Sequence, residues 1–340
     1  MLTGMSTPAE RGLQMPAEWA PHERTLMAWP CRTSLWGRQL DRAKAEYAGV
    51  ANAIAAFEPV TMAVNGPREA EEVHEACDAN VEPLELPTND SWMRDHGPIF
   101  VMDEARSERV GVHFRFNAWG GKFAPFDRDE RSGGVLAARY GDDVVAAPIV
   151  LEGGSIAVDG AGTLLTTEQC LLHHGRNPEL GREELSGHLH ELLGVDRVIW
   201  LGKGLVEDRD TDGHVDLIAA FTAPGQVLMQ SAPEQNPNHH LLAANQQIAA
   251  AAGLDVIDFP VLSYQKVEDE EVVCSYMNFY LGDRFCVVPT FDLPAKDRQA
   301  LERIGSAFPD HEVVGVPATT IAWGGGGPHC ITQQVPAKAA

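Results

Sequence analysis

The sequence predicts a mixed α/β protein built from small strand-rich units that each carry one helix. Short β-branched and aromatic runs outnumber helical stretches by two or three to one, and a helical stretch recurs every 50–60 residues. Turn residues separate these elements, with no linker longer than a turn between them. In order, a helix is expected over 38–57, where Leu40, Ala43, Tyr47, Val50 and Ile54 share one face. A strand over 60–64 and a helix over 67–79 follow, then strands over 99–102, 110–116 and 144–150. Strands over 155–158 and 163–165 form a hairpin, because Asp159-Gly160 is a hairpin turn signal. A helix over 179–193 precedes strands over 198–201, 215–221 and 227–230, and a helix over 236–252 precedes strands over 256–259, 272–276 and 285–289. The last elements are a helix over 294–308 and a strand over 313–316. The expected organisation is a disordered leader over 1–12, starting at Met1 or Met5, one compact domain over 13–336 and a loose tail over 337–340.

Charge narrows the function classes. The 340 residues carry 26 Lys+Arg against 49 Asp+Glu, a formal net charge of −23, and no basic stripe. A polyanion repels such a chain, so nucleic acid is not an expected partner. Without a run of 18 apolar residues no membrane partner is expected, and without a secretory signal the expected setting is cytoplasmic. Cys31, Cys77, Cys170, Cys274, Cys286 and Cys330 are scattered singly, which reads as reduced thiols and not as a zinc ribbon. No G-x-G-x-x-G opens a helix after a strand and no phosphate-binding loop motif occurs, so no nucleotide or other cofactor is expected.

Five segments stack polar residues, Gly and Trp where a loop must be rigid: 89–98, 116–122, 151–155, 211–216 and 323–334. In the last, four glycines (Gly324 to Gly327) lead through Pro328 and His329 to Cys330. Such backbone can approach a ligand closely or take positive φ. Cys330 is then either an exposed nucleophile or a buried cysteine in a strand. His214 and Asp216, two apart in an expected strand, project from one face. They are either an acid/base pair or a surface hydrogen-bonded pair, and no accompanying His/Cys motif supplies a metal site. Asp95 and Glu152 sit in tight Gly-flanked loops as turn formers or ligand contacts, and Arg94 could partner one of these carboxylates. If Asp95, Glu152, Asp216, His214 and Cys330 converge, the pocket would bind a cation. A planar, permanently charged guanidinium suits it.

The segments NDSWMRDHGP, FNAWGGK, LEGGS, GHVD and GGGGPHCITQQ, with MPAEWAPHERTLMAWP over 15–30, resemble in this order the agmatine deiminase family, which includes bacterial peptidyl-arginine deiminases. The resemblance runs from Met15 to Pro336. It implies the pentein fold, a five-bladed α/β propeller of ββαβ-like units with pseudo-fivefold symmetry. It further implies Cys330 as nucleophile, His214 as general acid/base, Asp95 and Asp216 as guanidinium acceptors, and Glu152 as support for His214 or the substrate. Trp92 and Trp119 would wall the site or pack in the core. The expected partner is a small cationic guanidine, with neither metal nor cofactor and with homo-oligomerisation open. Agmatine would give N-carbamoylputrescine and ammonia. Other guanidine deiminases, an amidinotransferase and a non-catalytic pentein binding protein are the alternatives. Gly327 and Pro328 stand where the family commonly has Asn and Ile, and Leu217 where it commonly has Asn. These three are candidates for lining the substrate tail.

Overall fold

The computed structural model describes residues 6–339 and resolves the strand-rich rhythm into six sheets. In chain order the first elements are β1 (His22–Ala28), α1 (Leu40–Ala55), β2 (Val60–Val64), α2 (Pro67–Ala76) and β3 (Val81–Glu85). Strand β1 runs parallel to β2, and β2 to β3, as helical crossovers require. A second unit follows with β4 (Ile99–Met102), β5 (Arg109–Arg115), α3 (Asp127–Tyr140) and β6 (Asp143–Val150). The third is β7 (Ile156–Val158), β8 (Thr163–Thr167), α4 (Arg182–Leu193) and β9 (Arg197–Leu201). The fourth is β10 (Ala219–Ala223), β11 (Gln226–Gln230), α5 (His239–Ala251) and β12 (Asp255–Phe259). A separate hairpin, β13 (Leu262–Val267) with β14 (Glu270–Ser275), precedes β15 (Tyr280–Gly282), β16 (Phe285–Thr290), α6 (Pro294–Ala307) and β17 (Glu312–Pro317). The chain ends on β18 (Gln333–Pro336).

Four of these groups share one plan: an antiparallel pair, a helix, then a strand parallel to the second. Both chain ends make the fifth, because β18 is the antiparallel partner of β1. The five ββαβ units implied by the family resemblance are all present. The buried strands read as short continuous apolar runs, such as Val60–Val64, because helices cover them. Helix α1 buries Ala43, Tyr47, Val50, Ala51 and Ile54 into the largest core cluster. Each large side chain among them contributes about 1.5–3 kcal/mol by leaving water.

This plan places the five connectors between units in equivalent positions. They precede β4, β7, β10, β15 and β18. In that order they carry Asp95, Glu152, His214 with Asp216, Asn278, and Cys330. Every unit therefore delivers at least one polar group from the same point of its topology.

Several expectations are corrected. Helix α3 was unforeseen, because Gly133 and Gly134 interrupt its pattern; a Cβ on Gly133 would meet the His96 carbonyl at 2.5 Å. Strands β1, β3, β13, β15 and β18 are additional to the thirteen expected runs. The segment expected as a strand from 215 opens as a 3-10 turn (Val215–Leu217), and β10 begins at Ala219. Residues 6–12, expected within a loose leader, are held: Arg11 pairs with Glu108 and Asp143, and the Leu13 amide donates to the Pro8 carbonyl. Met1 to Met5 lie outside the described residues. The tail is likewise tied, with the Ala337 amide on the Pro21 carbonyl and the Ala339 amide on the Arg106 carbonyl.

Candidate active site

Asp95 lies in a helical turn, Met93–His96, that sends its neighbours in different directions. Arg94 turns to Gln334 (2.8 Å) and Glu18 (3.4 Å), and its Nε donates to the His329 carbonyl. It therefore partners none of Asp95, Glu152 and Asp216. The Asp95 carboxylate accepts from the Gly154 amide at 3.0 Å and from the Trp119 indole N–H at 2.9 Å. Trp119 holds left-handed backbone, φ 56 and ψ 46, which costs about 1–3 kcal/mol for a residue with a Cβ. That strain is tolerated where the indole fixes a buried carboxylate. Trp119 thus does more than fill the core, and Trp92 packs on Trp36 while lining the cleft. Burial pushes Asp95 up to about 6, with the charges of Asp216 and Glu152 adding and that of His214 opposing.

Glu152 is wholly buried and receives the Arg176 Nε–H at 2.9 Å. Burial would raise it, but the Arg176 guanidinium and His214 overcome this and hold it below the ordinary carboxylate value. Arg176 is itself held by the Thr211 carbonyl and by Asp212.

His214 precedes the 3-10 turn, and its amide is captured by Asp208 at 3.0 Å. Its ring stands between two carboxylates, Nδ1 at 3.8 Å from Asp95 and Nε2 at 3.8 Å from Glu152. Neither ring nitrogen has a hydrogen-bond partner among the described residues. Burial disfavours the imidazolium, yet the facing Asp95 charge and the Cys170 and Glu152 contacts raise His214 well above its ordinary value.

Cys330 is 4% exposed, with its amide on the Asn278 Oδ1 at 3.2 Å and its thiol donating to Asp216 Oδ2 at 3.4 Å. Burial, then the Asp216 and Asp95 charges, push this thiol well up. The same Asp216 oxygen accepts from His329 Nδ1 at 2.9 Å, and His329 Nε2 reaches Glu18 at 2.8 Å. Burial would raise Asp216 as well, but the His329 hydrogen bond and the imidazole charges keep it below its ordinary value. Its other oxygen, Oδ1, is buried without a partner among the described residues.

The four glycines are required mainly by packing. A Cβ on Gly324 would strike Trp36 at 2.3 Å, one on Gly326 would meet Trp92 at 2.7 Å and Cys330 Cβ at 2.8 Å, and one on Gly327 would meet Asn278 at 2.7 Å. Gly325 takes φ +108. Gly154 is similarly enclosed, its missing Cβ position lying 2.6 Å from His214 Nδ1, 2.8 Å from Asp216 Oδ2 and 2.9 Å from Asp95 Oδ1.

Asp95, Glu152, His214, Asp216 and Cys330 are therefore brought together. The same-face reading of His214 and Asp216 reached this through the wrong geometry: a tight turn gathers them, not an extended strand. Sequence reasoning missed Asn278, Arg176, His329 and Glu18. Only His329, beside Cys330, carried a local signal. The cleft above Cys330 and Asp95 is walled by Leu35, Trp92, Trp119 and Phe123, with Asp90, Asp210 and Thr211 as its polar groups. Gly327 and Pro328 do not line it, and Leu217 borders a separate groove with Val272 and Trp323.

The Porphyromonas-type peptidyl-arginine deiminase family model matches residues 14–336. A putative agmatine deiminase of Legionella pneumophila (strain Philadelphia 1) is 41% identical over 342 residues, covering 97% of each chain. An agmatine deiminase of Ectopseudomonas mendocina is 40% identical over 376 residues, covering 99% of each. A solved agmatine deiminase of Enterococcus faecalis superposes with a TM-score of 0.91 at 34% identity, over 99% of each chain. With a match spanning nearly its whole length and the connector residues gathered as described, the chain belongs to the Porphyromonas-type peptidyl-arginine deiminase family.

Proposed function

We propose that this protein is a cysteine-dependent guanidine deiminase acting on agmatine, with N-carbamoylputrescine and ammonia as products. The observation that carries the reading is Asp216. One of its oxygens takes the Cys330 thiol, while the other is a buried acceptor with no donor among the described residues. A buried, unpartnered acceptor on an ionised carboxylate calls for a charged donor, and a guanidinium N–H supplies one beside the sulfur. The names of the relatives and the structural likeness support agmatine as the guanidine.

Asp216 and Asp95 hold the guanidinium with its central carbon facing Cys330 Sγ. The thiol begins protonated, since burial and two carboxylates oppose the thiolate. The arriving cation reverses that field, and the thiol proton passes to Asp216 Oδ2 as sulfur bonds to carbon. His214, protonated between Asp95 and Glu152, donates to the departing nitrogen, and ammonia leaves a covalent thiouronium on Cys330. Neutral His214 then takes a proton from water, whose oxygen adds to the same carbon. The C–S bond breaks, sulfur recovers the proton held on Asp216 Oδ2, the hydroxyl proton is lost to water and taken up by ammonia, and the neutral ureido product departs with His214 protonated again. Asn278 and the indole of Trp119 keep Cys330 and Asp95 in place. A cytoplasmic setting fits the six free cysteines, and among the described residues no helix is long and apolar enough to cross a membrane.

The test is incubation of purified protein with agmatine, arginine and guanidino acids, measuring ammonia and ureido product. Agmatine is expected to give both in equal amounts without an added amine. A requirement for an amine acceptor would indicate amidino transfer, and turnover of arginine but not agmatine would overturn the substrate assignment.

A further inference from the structure

On the Nε2 side of His214 lies a group that the deiminase reading leaves unexplained. Cys170 is wholly buried, with Sγ 3.9 Å from Glu152 Oε2. The same carboxylate oxygen is 3.8 Å from His214 Nε2, a buried nitrogen with no hydrogen-bond partner among the described residues. One sulfur, one nitrogen and one oxygen thus face one another within 4.8 Å. An ion at the centre of such a triangle sits about 2.2–2.5 Å from each corner, close to zinc bond lengths to S, N and O. The mixed set is that of a borderline-soft cation and unlike the all-oxygen shells of magnesium or calcium.

We propose that Glu152, Cys170 and His214 form an inhibitory site for a thiophilic divalent cation of the zinc class. Charge balance supports it. The ion would replace the His214 proton and the Cys170 proton, so two positive charges enter and two protons leave, and the net charge of the buried cluster is unchanged. Glu152 Oε1 stays on Arg176, which leaves Oε2 free to ligate. With metal on Nε2, the remaining Nδ1 proton could leave only by forming an imidazolate, so His214 could no longer pass protons at the reacting centre. The inhibition therefore rests on the role proposed for His214, whereas the binding does not. Because two protons are displaced, affinity should rise about 100-fold per pH unit while both groups remain protonated in the free protein.

The experiment loads chelator-treated full-length protein with cobalt(II), whose thiolate charge-transfer band reports a cysteine ligand, and measures zinc affinity by calorimetry. Wild type and Cys330→Ala should each bind one equivalent with the thiolate band. Cys170→Ala should lose the band and at least ten-fold in zinc affinity. A band that survives in Cys170→Ala and vanishes in Cys330→Ala would put the metal on the nucleophile and overturn the proposal. Absence of a stoichiometric thiolate band in Cys330→Ala would overturn it too, even if Cys170→Ala does not fold. The optical readout is independent of agmatine turnover, so failure here is distinct from failure of the deiminase reading.

Discussion

Gly154→Ala is the most informative single change, because one methyl group would press on three proposed working groups at once. Its Cβ would lie 2.6 Å from His214 Nδ1, 2.8 Å from Asp216 Oδ2 and 2.9 Å from Asp95 Oδ1, where ordinary contact begins at 3.4 Å. All three must retreat by roughly 0.5 Å or more in a close-packed interior that offers no slack. The backbone of Gly154 is not left-handed, so alanine adds no backbone strain and the effect is steric. Overpacking of this kind costs about 1–3 kcal/mol of stability. Misplacing reacting groups by about 1 Å costs about 100-fold in rate, so kcat/KM should fall by 30-fold or more, to roughly that order. Ammonia release from agmatine measures the rate and thermal unfolding the stability. The control is Gly187→Ala on the exposed face of α4, where the added Cβ meets nothing within 4 Å. There a gain of about 0.5–1 kcal/mol and unchanged turnover are expected. Wild-type kcat/KM in Gly154→Ala would refute the convergence of the three groups on one reacting centre.

Cys330→Ala should fold normally and release no ammonia, which mass spectrometry after substrate addition would match with no covalent adduct. Asp216→Asn should lose about 2–5 kcal/mol of transition-state stabilisation, seen as a fall in kcat/KM, since a buried charged acceptor is removed. With Asp95 pushed up to about 6, acid below that pH protonates one guanidinium acceptor, so KM should rise as pH falls through 6. Asp95→Asn should flatten that limb of the profile. For the fold the sign is opposite. Between its ordinary value of 3.8 and about 6 the folded state binds this proton more tightly, so the Asp95 contribution to stability declines as pH rises through that window. Gly324→Ala, whose Cβ would meet Trp36 at 2.3 Å, should lower the melting temperature and activity together.

Strands that lie wholly inside, such as β2 and β4, were legible because burial on both faces leaves apolar runs. β18 was not, because Gln333 and Gln334 look like a loop. In the fold they are buried, Gln333 donating to the Pro98 carbonyl and Gln334 accepting from Arg94. Helix α3 was hidden for the converse reason: Gly133 and Gly134, poor helix formers, are there to admit His96 and His113. The five site residues were legible as residue types inside rigid loops, and the family resemblance implied the roles proposed for them. Their partners were not, since Arg176 and Glu18 reach Glu152 and His329 from distant sequence and carry no motif.

Under the proposed mechanism the acidity of the site divides by task. Glu152 is balanced by Arg176 and cannot meet a substrate, so its charge serves His214. Asp95 has its oxygens on Trp119 and Gly154, and burial already holds it near neutral pH, so its charge is the easiest to withdraw. Asp216 stays ionised through His329, spends Oδ2 on the thiol and keeps Oδ1 open. Of a net charge of −23, the part proposed to discriminate a guanidinium from a neutral amide is therefore one oxygen atom of Asp216 backed by Asp95. A neutral urea in that place would lack the charge that favours thiol deprotonation. The arrangement proposed to bind the substrate would therefore also release the ureido product.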